Sequence, residues 1–215
     1  MKSTILFDLD GTLTDPGEGI TNSVMYALKK FGIETHDRRE LYSFIGPPLT
    51  ESFMEYYNFT YDQAMLAIKY YREYYQPKGI FENKLYDGID LLLKELKERG
   101  KTLVLATSKP EEMAIKVLKK FEIFNCFDFV CGASMDETRT EKADVIRYAL
   151  DRCKADADDC IMVGDRKYDI IGAKANSMQS VGVLFGYGTK EELDEAQAEH
   201  TVETVSELKD YLMNI

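Results

Sequence analysis

The sequence predicts an α/β protein: a Rossmann-like parallel sheet covered by helices, with a helical domain inserted near its N-terminal end. Three observations predict it. From Asp87 onward, short apolar runs alternate with segments of helical spacing, the pattern of β-α units that build a parallel sheet. One further apolar run, at 4–7, stands far upstream of those units. Between them, residues 36–80 carry helical patterns and crowded aromatic side chains, and strand patterns are hard to find. The interruption places a core domain at 1–15 and 85–215 and a helical cap domain at 16–84.

The elements follow in order. Residues 4–7 read as a buried strand that stops at Asp8-Leu9-Asp10-Gly11. Residues 21–31 have helical spacing, with Val24, Leu28 and Phe31 on one face and Gly32 as the stop. Gly46-Pro47-Pro48 separates two helices, and Ala64, Ile68, Tyr71 and Tyr75 repeat at helical intervals. Residues 89–99 are amphipathic, with Leu92, Leu93 and Leu96 inward and Gly100 as the stop. Strands are expected at 102–106, 127–131, 160–163 and 180–184. Helices are expected at 110–120, opened by Pro110, at 140–153 with Thr140 as the cap, at 167–175 and at 205–213.

Composition narrows the function classes. The chain has 215 residues, 45% hydrophobic and 30% charged, with a formal net charge of -11. An acidic chain without a Lys/Arg cluster is a poor partner for nucleic acid or an anionic membrane. No apolar run approaches the roughly 20 residues of a membrane span. The first apolar stretch is broken by Asp8 and Asp10, so it does not read as a signal peptide. The four cysteines (Cys126, Cys131, Cys153 and Cys160) form no CxxC pair. They read as reduced thiols of a cytoplasmic protein rather than a zinc site.

Polar residues gather after the predicted strands, where ligands bind in open α/β sheets. Asp8 and Asp10 follow the first strand, Thr107-Ser108-Lys109 the strand at 102–106, and Gly164-Asp165 with Asp169 the strand at 160–163. Two carboxylates at two-residue spacing on a strand end point to the same side and repel unless a cation or proton intervenes. Asp169 lies one helical turn after Asp165 and shares its face. Carboxylates with few His or Cys nearby suit a hard ion, Mg2+ above all. If the substrate is a phosphate, such an ion would also overcome the repulsion of the acidic chain. Lys142 lies in the first turn of a predicted helix, where a cation is electrostatically misplaced unless it faces carboxylates or a phosphate. The turn at Gly11 and Thr12 offers N–H groups to phosphate oxygens.

These stretches resemble the haloacid dehalogenase superfamily, in its phosphatase branch. Asp8-Leu9-Asp10-Gly11-Thr12-Leu13-Thr14-Asp15 resembles the first motif of that superfamily, Thr107 the second, Lys142 the third, and Gly164-Asp165-Arg166-Lys167-Tyr168-Asp169 the fourth. The resemblance implies an enzyme, with Asp8 as nucleophile and Asp10 as acid and then base. It implies Mg2+ held by Asp8, Asp10 through its backbone carbonyl, and Asp165, with Asp169 in support, and phosphoryl binding by Thr107 and Lys142. The dehalogenases themselves lack the second aspartate, so Asp10 favours phosphate chemistry, and Thr12 favours hydrolysis over the phosphomutases. A finer resemblance, through Phe44-Ile45-Gly46-Pro47-Pro48-Leu49 and Thr107-Ser108-Lys109-Pro110, is to a phosphoglycolate phosphatase-like or 5'-nucleotidase-like subgroup with a helical cap.

The expected function is phosphomonoester hydrolysis on a small-molecule phosphate ester, with a phosphomutase or a non-catalytic binding protein as alternatives. The substrate is open among phosphoglycolate, nucleoside monophosphates, sugar phosphates and pyrophosphate, and the oligomeric state between monomer and homodimer. Ser108 joins the phosphate-binding candidates, and Gly46 and Arg72 are the candidates within the cap. Arg72 reads equally as a solvated helix residue, and Gly46 as a plain helix break. Tyr70, Tyr71, Tyr74 and Tyr75 read as cap packing, and Glu111, Glu112, Glu191 and Glu192 as solvated faces.

Overall fold

The computed structural model describes residues 2–134 and 138–215. The chain divides into two compact units, one of residues 1–14 and 85–215, the other of residues 15–84.

The first unit is built on a six-stranded sheet. Its strands are β1 (Thr4–Phe7), β4 (Thr102–Pro110), β5 (Phe129–Ala133), β6 (Cys160–Gly164), β7 (Gln179–Val183) and β8 (His200–Val202), in the order β5-β4-β1-β6-β7-β8. Every pairing is parallel. The short strands β2 (Thr14–Asp15) and β3 (Lys84–Leu85) form a separate pair. All four residues of β1 are buried, as a strand covered on both faces requires. Helices α4 (Ile89–Glu98), α5 (Glu111–Lys120), α6 (Lys142–Cys153), α7 (Lys167–Ala175), α8 (Lys190–Glu195) and α9 (Val205–Met213) complete this unit. In α4 the buried side chains are Ile89, Leu92, Leu93 and Leu96, each stabilising by about 1.5–3 kcal/mol. The strand order reverses at β1: the chain runs outward through β4 and β5, then returns to β6 on the other side. Such a switch point opens a crevice beyond the carboxyl ends of the strands.

Several boundaries differ from expectation. Residues 124–126 form a 3-10 turn, so the strand expected at 127–131 begins at Phe129. Asp128 holds its entry by accepting the Leu103 N–H at 2.8 Å. Thr140 does not cap α6: the N-cap position is Glu141, without a side-chain cap bond. The strand from Thr102 continues to Pro110 through a register shift between Thr107 and Pro110. Glu192 and Glu111 are not solvated faces. Glu192 accepts from Arg166 Nε at 2.9 Å and from the Lys167 N–H at 2.9 Å, and Glu111 accepts the Gly132 N–H at 3.3 Å.

The second unit is helical: α1 (Gly17–Lys30), a 3-10 helix (Arg38–Phe44), α2 (Leu49–Tyr57), α3 (Tyr61–Tyr75) and a 3-10 turn (Gly79–Phe81). Thr60 and Gln63 form a capping box at the start of α3, and Asn58 ends α2 in the left-handed region. The tyrosines pack: Tyr71 stacks on Tyr75 at 5.1 Å, Tyr70 meets the Phe31 ring edge-on, and Tyr74 tilts against Tyr26. Helix α1 starts four residues before its expected start, through two glycines that read as helix-poor. At Gly19 the glycine answers a close approach: a Cβ there would lie 1.9 Å from the Gly79 carbonyl oxygen. Ala normally stabilises a helix interior relative to Gly by roughly 0.5–1 kcal/mol. Gly19→Ala should do the reverse here and destabilise by about 1–3 kcal/mol, read as a lowered denaturation midpoint. An unchanged or raised midpoint would contradict this packing.

Candidate active site

Register builds the site. Phe7 of β1 pairs with Leu105 of β4 and with Val163 of β6. Asp8, Ala106 and Gly164 therefore stand level, one residue beyond those pairs. The Asp8 N–H donates to the Val163 carbonyl at 2.9 Å, so the backbone of Asp8 is held as the ladder ends. Asp165 follows β6 directly, and Asp169 lies in the first turn of α7.

The structure brings Asp8, Asp165 and Asp169 together: one carboxylate oxygen from each lies within 4.8 Å of the others. All three are buried, at 5%, 0% and 1% exposure. Lys142, from the start of α6, reaches into the group. Its ammonium is 2.9 Å from Asp8 Oδ1 and 2.7 Å from Asp169 Oδ1, and donates to the Ala106 carbonyl at 3.1 Å. Three partners match the three protons of an ammonium. This accounts for a cation at the wrong end of a helix.

Asp10 is also buried, but its carboxylate stands outside that trio and its Oδ2 is paired with Lys109. Thr107 is buried, and its Oγ1 accepts the Lys109 N–H at 3.2 Å. Ser108 is partly exposed. Thr12 is fully buried and its hydroxyl donates to Asp165 Oδ1 at 3.3 Å, while the Tyr187 N–H donates to Asp165 Oδ2 at 2.8 Å. Gly11 packs on the same carboxylate. Its φ is +84°, and a Cβ there would sit 2.1 Å from Asp165 Oδ2; one on Gly186 would sit 2.5 Å from Asp165 Cβ. Only glycine meets both demands at position 11 without strain. Gly46 and Arg72 belong to the second unit; Gly46 has φ +108° in the break before α2.

Charge decides what this group needs. Asp8, Asp10, Asp165 and Asp169 face Lys109 and Lys142, so two negative charges remain uncompensated. The titration shifts show the strain. Burial raises the Asp165 carboxyl well above its ordinary range, and the charges of Asp169 and Asp8 add to the rise. Burial pushes Asp169 up to about 6 against the opposing pull of Lys142. Asp10 is raised by burial, partly offset by Lys109. Burial alone would lower Lys142, but Asp169 and Asp8 outweigh it and hold it above its ordinary value. An oxygen-only donor set with two excess negative charges fits a hard divalent cation such as Mg2+.

Sequence reasoning placed Lys109 at the rim of the acids without giving it a role, and missed Gly186 and Tyr187 as their neighbours. Lys109 carried a signal, since it follows Thr107 at a strand end. Gly186 and Tyr187 follow β7 in a Gly-Tyr-Gly run that no chemical motif singles out.

The model of the haloacid dehalogenase-like hydrolase family matches residues 5–183. The chain belongs to that family. A Pseudomonas aeruginosa relative named 5'-nucleotidase is 43% identical, over 97% of this chain and 94% of its own. A Mycobacterium tuberculosis relative named tyrosine-protein kinase PtkA is 36% identical over 97% of this chain and 72% of its own. The crystal structure of a "predicted phosphatase" from Clostridium acetobutylicum superposes with a TM-score of 0.98 at 49% identity, over 100% of both chains. The protein is thus an enzyme of the phosphatase type within the haloacid dehalogenase-like hydrolases. Among the described residues, no helix is long and apolar enough to cross a membrane.

Proposed function

We propose that the protein is a Mg2+-dependent phosphomonoesterase for small phosphorylated metabolites, working through a phosphoryl-aspartate on Asp8, with residues 16–84 as its cap. The observation that carries this reading is the buried convergence of Asp8, Asp165 and Asp169 around Lys142, two positive charges short of neutrality. In this reading Asp8, the Asp10 backbone carbonyl and Asp165 hold the ion, and Asp169 supports it. When bound, Mg2+ supplies positive charge to the oxygens of the transferring phosphoryl group.

The protein's own groups do the rest. A carboxylate oxygen of Asp8 bonds to phosphorus as the bond to the ester oxygen breaks, and protonated Asp10 gives that oxygen its proton. Water then attacks phosphorus, Asp10 takes the proton, and the Asp8 carboxylate is released with inorganic phosphate. Lys142 holds Asp8 in place. Thr107 Oγ1 accepts from the Lys109 N–H, which leaves its own O–H to donate to a phosphoryl oxygen. Gly11 and Thr12 act chiefly by seating Asp165, Ser108 borders the phosphoryl position, and Gly46 and Arg72 take part in substrate choice from the cap.

The test is phosphate release from p-nitrophenyl phosphate with Mg2+, then a screen of nucleoside monophosphates, sugar phosphates, phosphoglycolate and pyrophosphate. Chelation should reduce release to background and added Mg2+ restore it. The identity to a relative named 5'-nucleotidase supports nucleoside monophosphates as the best substrates. Release undiminished by chelator would contradict the metal requirement. An isomerised sugar phosphate without free phosphate would show a phosphomutase instead.

A further inference from the structure

The proposed chemistry leaves one buried cation without a role: Lys109. The β4–β5 ladder pairs Thr107 with Gly132 and resumes only at Pro110 with Ala133. Residues 108 and 109 are therefore extra in the strand. Bulges of this kind re-aim side chains and are common beside active sites. Here the bulge is pinned by the Lys109 N–H donating to Thr107 Oγ1 at 3.2 Å. The side chain that results is only 5% exposed and pairs with Asp10 Oδ2. The second Asp10 oxygen, Oδ1, is buried without a hydrogen-bond partner.

Burying two charges costs several kcal/mol per ion, so such a pair is weak evidence for stability. It divides the Asp10 carboxyl into one oxygen that is tied and one that is not. We propose that Lys109 is the positioning residue for Asp10: it anchors Oδ2 and leaves Oδ1 as the oxygen that exchanges the proton with the departing ester oxygen and then with water. This rests on the reading of Asp10 as acid and base. No substrate contact by Lys109 is involved, so its effect on the chemical step should pass through Asp10.

Leaving groups separate the possibilities. A p-nitrophenolate leaves without a proton, whereas an alkyl oxygen needs one, and kcat/KM reports the step in which the ester bond breaks. For Lys109→Met, kcat/KM should fall about 10²-fold on an alkyl phosphate and less than about tenfold on p-nitrophenyl phosphate. Asp10→Asn should show the same divergence. Adding Lys109→Met to Asp10→Asn should cause no further loss, the non-additivity of residues acting as a unit. Lys109→Arg should recover most of the alkyl activity. Should Lys109→Met fail to fold by thermal melting, the arginine variant and the double variant, which removes both charges, carry the comparison. Equal losses on both substrates, or a further loss in the Asp10→Asn background, would overturn the inference while sparing Asp10. If Asp10→Asn itself shows no dependence on leaving group, the reading of Asp10 fails, and the inference with it.

Discussion

Asp8→Asn is expected to lower phosphate release by a factor on the order of 10⁴ or more, the scale on which removing a catalytic nucleophile acts, while the protein remains folded. The amide has the shape of the carboxylate, and the backbone bond from Asp8 to Val163 is untouched. Lys142 keeps Asp169 and the Ala106 carbonyl as partners. One charge leaves a group that carries two too many, so the metal-free protein should melt within a few degrees of wild type. Phosphate release and thermal melting check both halves. Residual activity near wild type would remove Asp8 from the mechanism. A collapsed melting temperature would show that its carboxylate is structural.

Lys142→Met should damage both activity and stability. Lys142 is the single described cation that touches both Asp8 and Asp169. Its removal leaves buried carboxylates uncompensated, a change that destabilises by roughly 3–5 kcal/mol. Turnover should fall by about 10²–10³-fold, the effect of deleting one preorganised charge donor at a transition state. The distinguishing feature is rescue. Millimolar Mg2+ should raise the melting temperature of the variant, because a ligand that binds only the folded state stabilises it by mass action. It should not restore turnover. A variant as stable as wild type without metal would mean that the carboxylates are already neutral and carry no excess charge for a cation to offset.

Much of this site was legible in the sequence because its chemistry sits at strand ends. Asp8, Thr107 and Asp165 each follow an apolar run, and parallel register then brings them to one rim, with Thr107 and Asp165 one residue beyond the level of Asp8. Lys142 betrayed itself by standing at the wrong end of a helix. Lys109 was not legible in the same way, since a bulge between Thr107 and Pro110 leaves no mark in an apolar-polar pattern. Strand β8 is three residues long, too short to show a period. The apolar spacing that marks helix α1 begins only at Thr21, whereas the helix itself begins at Gly17. The close approach of Gly79, sixty positions away, explains the glycine at position 19. Thr140 looked like a cap by residue type, whereas Glu141 takes the position with no side-chain bond.

The most direct test is to trap the intermediate. The protein would be mixed with Mg2+ and substrate, quenched in acid within the first turnovers, digested, and mapped by mass spectrometry. The account predicts a phosphoryl group on Asp8, absent from Asp8→Asn and lost on mild alkaline treatment, as an acyl phosphate requires. A phosphoryl group on any other residue, or steady turnover with no covalent adduct at any quench time, would contradict it.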